Sequence, residues 1–163
     1  MRLLLARSDV ALDSKNGFGR TPLSQEAEQG YEAVVKLVLG RDDVEADLKD
    51  QVGRTSLSQA AERGHEDVVS ILLARDDVEA DVKDRTGRRL LSQAADRRHE
   101  VVVWLLLARD DVKSRLKDPP FERTRLLKAA KRGHEAVVRL LLARHDVEAD
   151  AKDRTLLLKA AGA

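Results

Sequence analysis

The sequence predicts an all-α solenoid of stacked helix-turn-helix units joined by β-hairpin-like fingers. Three observations lead there. The first is a period. Gly19, Gly53 and Gly87 fall 34 residues apart, and the stretch GRTSLSQAAERGHEDVVSILLARDDVEADVKD that starts at Gly53 recurs in altered form on both sides. Self-similarity of that length marks units that bury their apolar faces only against their neighbours. The second is a pair of helical patterns within each period, separated by a glycine stop or its replacement. The third is composition. Charged residues make up 36% of the 163 and aromatics only 2%, which suits a thin array with much surface and a core of Leu, Val and Ala.

The chain starts with a half unit, 1–18. Its Leu3-Leu4-Leu5-Ala6-Arg7 aligns with Leu37-Val38-Leu39-Gly40-Arg41, the tail of a second helix, one period on. The first complete unit is 19–52. Thr21 can cap the opening helix with its hydroxyl, and Pro22 suits a first turn where its missing N–H costs nothing. Gly30 closes that helix in a left-handed C-cap. A second helix is expected from Glu32 to Arg41, with Val34, Val35, Leu37, Val38 and Leu39 as its apolar stripe. The segment from Asp42 to Gly53 has no helical period and reads as an extended finger.

The second unit, 53–86, is the most regular. Thr55 caps it, Ala60 and Ala61 permit close helix packing, Gly64 stops the first helix, and Val68, Val69, Ile71, Leu72 and Leu73 form the second stripe. The third, 87–121, departs from the pattern. Arg89 stands at the capping Thr, Leu90 at the Pro and Trp104 at a polar second-helix position. Arg98 replaces the stop glycine, at a cost of about 1 kcal/mol for a side chain in that turn. The fourth, 122–153, has Thr124, Ala129, Ala130 and Gly133, with Pro119-Pro120-Phe121 in its entry finger. A last half unit, 154–163, carries Leu156, Leu157 and Leu158 with no partner helix after them. All of these units read as one elongated domain, 1–163. Neither end offers a polar capping unit, so the sequence points to a piece of a longer array.

The formal net charge is +1, which argues against a generally basic nucleic-acid binder. The distribution is uneven. Residues 1–112 hold 17 Lys/Arg and 22 Asp/Glu, a net of −5, while residues 113–163 hold 13 and 7, a net of +6. There is no cysteine, which removes disulfides and thiolate chemistry. The opening MRLLLARSDV has too short an apolar run for a signal peptide, and no stretch approaches a membrane span. These features point to a soluble intracellular chain, cytoplasmic or nuclear.

Catalytic and metal chemistry find no footing. His65, His99 and His134 share one unit position, and His145 stands apart. Equivalent positions in a stack lie roughly 10 Å apart, too far to share a zinc ion, so the recurring His reads as an organiser of the turn between helices. The DDVEAD segments lack the spacing and final Glu of a calcium loop and read as solvated turn acids. Ser24, Ser58 and Ser92 recur without a nucleophile elbow or a paired His and Asp. Gly17-Phe18-Gly19 is a finger tip and leads into no phosphate-binding helix start. No cofactor, metal or enzymatic activity is expected.

The run GRTPLS…A…GYEAVVKLVL, followed by GRTSLSQAAERGHEDVVSILLARDDVEAD, resembles the ankyrin repeat. Its pattern is matched at Gly53, Thr55, Leu57, Ala60, Ala61, Gly64, His65, Val68, Val69, Leu72 and Leu73. The finer text is similar to arrays in large fungal proteins, including the tails of NLR-like receptors. Ser24, Ser58 and Ser92 stand where the family has a His that knits neighbouring loops, which implies a looser network. Glu26 stands where a packed Ala is usual. The resemblance implies a non-catalytic interaction scaffold that binds a protein partner through finger tips and the concave face of the first helices. Carried over by position, the contact residues are Phe18, Arg20, Glu28 and Gln29; Gln51, Val52, Arg54, Glu62 and Arg63; Arg85, Thr86, Arg88, Asp96 and Arg97; and Phe121, Arg123, Lys131 and Arg132. The alternative is a structural or regulatory piece of a receptor tail that self-associates end to end or autoinhibits. No nucleic acid or membrane partner is implied.

Overall fold

Helices come in pairs, and in the first two pairs a threonine cap and a glycine stop set the ends of the first helix. The structure, a computed structural model, describes residues 12–115 and the helical positions Glu135 and Arg139. Helix α1 (Pro22–Gln29) pairs with α2 (Glu32–Leu39), α3 (Ser56–Arg63) with α4 (Glu66–Leu73), and α5 (Leu90–Asp96) with α6 (Glu100–Ala108). A short α7 (Asp110–Arg115) follows. The first helices form one row, α1 on α3 on α5, and the second helices another, α2 on α4 on α6. This is an all-α solenoid of stacked helix pairs.

The caps work as expected in the first two pairs. Thr21 and Thr55 are extended, and their hydroxyls accept the N–H of Ser24 (3.2 Å) and Ser58 (3.3 Å). Each Ser hydroxyl donates back to the Thr carbonyl at 2.9 Å. The serines therefore serve their own helix, and links between units are made by other groups. Gly30 and Gly64 end α1 and α3 in the left-handed region, at φ 76° and 77°. Arg89 supplies no side-chain cap to α5 and instead forms an ion pair with Asp81. Arg98 takes the left-handed turn at φ 64°, the only non-glycine residue to do so among those described.

The core is one continuous row of Leu, Val and Ala. Leu23, Leu57, Leu72, Leu90 and Leu106 are sealed, with Ala27, Ala60, Ala61, Ala94 and Ala95 letting the first helices approach. Each sealed Leu contributes roughly 2–3 kcal/mol by leaving water. Glu26, at the packed-Ala position, is half-buried beside the sealed Ala27. The predicted stripe of α2 is too wide at one place: Leu37 is exposed, and α2 ends at Leu39 rather than Arg41. The connections are more apolar in role than in text. Val44, Ala46, Val78, Ala80 and Val82 are all buried beneath the helices.

The β-hairpin-like fingers are not found. Among the described residues the connections hold no paired strands, only an isolated bridge between Lys83 and Arg89. The physical reason is that an Asn or Asp side chain takes the backbone donors a strand partner would need. Asn16 Oδ1 accepts the N–H of Phe18 and Arg20 (2.9 and 3.1 Å). Asp50 Oδ1 accepts those of Val52 and Arg54, both at 2.9 Å, and Asp84 Oδ1 those of Thr86 and Arg88, also at 2.9 Å. The result is a tight turn at each tip. The connection after the third pair departs further, since it starts as helix α7.

Candidate functional site

Links between units are built from residues of matching unit position, which places the candidate face on a stiff frame. His65 Nε2–H donates to the carbonyl of Glu28 (2.9 Å) and His99 Nε2–H to that of Glu62 (3.0 Å). Each ring lies over the stop glycine of the preceding unit. A Cβ built at Gly30 would come 2.6 Å from His65 Nδ1, and one at Gly64 2.5 Å from His99 Nδ1. Neither ring caps its own helix, so the organising role expected within each unit is carried between units instead. His134 and His145 lie outside the described residues. Arg75 and Arg109 reach back to the carbonyls of Leu39 (3.2 Å) and Leu73 (2.9 Å), capping the helix of the unit before. Asp47 accepts the N–H of Glu79 at 2.7 Å.

The row of first helices carries an ordered set of charges. Glu28 on α1 accepts from Arg20 (2.6 Å) and from Arg63 (2.7 Å). One unit on, Glu62 on α3 accepts from Arg97 (2.5 Å) and lies 3.5 Å from Arg54. Asp50, almost fully buried, binds Arg54 at 3.1 Å and the amide of Gln59 at 3.3 Å. Arg88 pairs with Asp84 at 3.3 Å. Glu28, Arg54, Gln59, Glu62, Arg63 and Arg97 enclose a polar groove of about 160 Å³.

The two signs of charge lie at different depths. The side chains of Arg63, Arg88 and Arg97 are 56%, 58% and 54% exposed. Those of Glu28, Glu62 and Asp84 are 14%, 23% and 8% exposed. The guanidinium groups of Arg63, Arg88 and Arg97 therefore lie outside these carboxylates, while Arg20 and Arg54 lie as deep as Glu62. Several carboxylates are shifted by their surroundings. Burial acts to raise Asp84, yet the Thr86 hydroxyl and Arg88 hold it below the ordinary carboxylate range. Burial likewise opposes, without overcoming, the lowering of Asp111 by the Ala80 N–H and Arg109. Two-point hydrogen bonds from Arg41 and Arg75 lower Asp43 and Asp77. Burial pushes Asp47 up.

At the finger tips, backbones stack while side chains stay out. The Gln51 N–H donates to the Phe18 carbonyl (3.2 Å), and the Arg85 N–H to that of Val52 (3.0 Å). Phe18 is 71% and Val52 48% exposed, and Thr86 and Arg85 are exposed too. Gln51 spends its amide on the Gly17 carbonyl (2.9 Å). Gln29 and Asp96 are exposed at the ends of α1 and α5. Trp104, at a polar position of the second helix, is exposed on α6. Phe121, Arg123, Lys131 and Arg132 lie outside the described residues.

Sequence reasoning passed over Asp50 and Gln59, which organise the groove floor. The available signal was recurrence, since Asn16, Asp50 and Asp84 share one position and Gln25, Gln59 and Gln93 another. Among the described residues no cluster of His, Asp or Glu could hold a metal ion, and no helix is long and apolar enough to cross a membrane. A family model described as ankyrin repeats (3 copies) matches residues 1–86, 23–118 and 91–163, which together take in the whole sequence. Comparison with curated proteins finds no match.

Proposed function

The chain belongs to the ankyrin-repeat family, and on that premise we propose that it is a non-catalytic protein-recognition module that captures its partner across the finger tips and the face of the first helices. Supporting this is the combination of a stiff frame with exposed contact groups on it. Phe18 and Val52 project from stacked tips, while Arg63, Arg88 and Arg97 project from charge pairs that hold them in place. A face already ordered in the free protein loses little freedom on binding, and exposed aromatic and Arg side chains are frequent interface anchors. The units 19–52, 53–86, 87–121 and 122–153 would present this face in series, in a soluble intracellular chain.

The test is a pull-down from lysate with the chain and a copy carrying Arg85→Glu, Arg88→Glu, Arg97→Glu and Arg132→Glu, both checked by circular dichroism. A partner held by the first and lost by the second supports the proposal. No partner with either, together with self-association on a sizing column, would replace it with the end-to-end reading carried by Leu3–Leu5 and Leu156–Leu158.

A further inference from the structure

We infer that the groove between α1, α3 and α5 receives an acidic side chain of a peptide segment, an Asp or Glu seated between Arg63 and Arg97; this deepens the protein-recognition reading and rests on it. The inner carboxylates are already satisfied. Glu28 accepts from Arg20 through one oxygen and from Arg63 through the other. Glu62 faces Arg97 through one and Arg54 through the other. The outer cations are not used up. Arg63 commits only Nη2 to Glu28, and Arg97 only Nη2 to Glu62, which leaves further N–H donors on two side chains that are more than half exposed. Two planar forks one unit apart, on a neutralised floor, match a carboxylate better than any other common side chain.

Gln59 is the neutral member of the groove lining. Its Nε2 is turned to Asp50, which fixes the amide orientation. Its Oε1 is buried without a hydrogen-bond partner. That oxygen is sealed from solvent, so an inserted segment meets it only where the side chains over it move aside. A nucleic acid fits less well. The groove holds about 160 Å³, its lining includes Glu28 and Glu62, and no aromatic side chain lines it to stack a base.

The experiment pans a phage-displayed random dodecapeptide library on the full chain, then measures synthetic copies of the selected peptides by fluorescence anisotropy. The selected peptides are expected to be rich in Asp and Glu. Their affinity should fall about tenfold or more in Arg63→Gln/Arg97→Gln and stay unchanged in Lys36→Gln on α2. Should the double variant fail to fold, Arg97→Gln alone reads the same loss, because it leaves the Arg20–Glu28–Arg63 chain intact. Peptides without acidic residues, or binding indifferent to both substitutions, would overturn this inference and leave protein recognition standing. A dodecathymidylate that displaces the peptides at lower concentration than they displace one another would overturn it in favour of a nucleic acid. A library that yields no binder would count against both readings.

Discussion

Gly64→Ala probes the lock between units directly. The position has φ 77° and ψ 25°, so an alanine there costs about 1–2 kcal/mol in backbone strain. Its Cβ would also lie 2.5 Å from His99 Nδ1, 2.7 Å from Cε1 and 3.1 Å from Cγ. Contacts that short are not tolerated, so the His99 ring must move. Moving it breaks the bond to the Glu62 carbonyl, worth about 0.5–1.5 kcal/mol. The expected loss is therefore about 2–3 kcal/mol in the native background. With His99→Ala already present there is no ring to displace, and only the backbone cost of about 1–2 kcal/mol remains. Urea unfolding followed by far-ultraviolet circular dichroism on the four proteins of this cycle gives the coupling. Gly64→Ala costs that agree within about 0.5 kcal/mol in both backgrounds would refute the lock, since that is the behaviour of independent sites.

Arg98→Gly should raise stability by a few tenths to about 1 kcal/mol, because it relieves the left-handed turn by slightly more than it loosens the unfolded chain; an unchanged or lower unfolding midpoint rejects that account. Asp50→Ala removes the acceptor for Val52, Arg54 and Gln59 together and should cost about 2–4 kcal/mol in urea unfolding; a loss under about 1 kcal/mol would mean that water replaces the carboxylate freely. Asp47 has a raised folded value, so its contribution is fully present below the unfolded carboxylate range and is lost as pH rises through the folded value. Asp47→Asn keeps an oxygen for the Glu79 N–H and should raise the midpoint at about pH 7 but not at about pH 3; equal effects at both would exclude the charge as the cause. Asp43, Asp77, Asp84 and Asp111 are lowered, so what they contribute is intact above the unfolded range and lost as pH falls through their folded values. Acid unfolding followed by circular dichroism should begin below about pH 4, and an onset above about pH 5 would contradict this.

The helix pairs were legible because their signals are local and repeated. Thr21, Thr55, Gly30 and Gly64 act within one turn of chain, and the departures at Arg89 and Arg98 could be read against them. The fingers were misread because a run such as Asp42 to Gly53 says where a helix stops without saying who takes its backbone donors. That depends on one side-chain oxygen, on Asp50, whose role emerges only when the turn has closed around it. The row of charges along the first helices was legible by position but not by depth. Arg63 and Glu62 are neighbours in sequence and equally charged in magnitude, yet one lies outward and the other under Arg97. Burial of this kind comes from the neighbouring unit and leaves no mark in the local text. Gln59 left only its recurrence with Gln25 and Gln93 as a signal.

The Arg and His bonds that tie one unit to the next recur at the same positions of the repeat. Arg63 meets Glu28, and Arg97 meets Glu62, each at a separation of 35 residues; His65 and His99 reach back 37. The chain is therefore written in interchangeable modules. If 53–86 were excised, Gly87 would follow Val52, His99 would be offered the Glu28 carbonyl, Arg97 the Glu28 carboxylate, and Arg109 the Leu39 carbonyl. None would meet a partner of a different kind. A gene of this design can lengthen or shorten its product by unequal recombination in steps of one period, and each step changes the reach of the face without redrawing the joints that hold it.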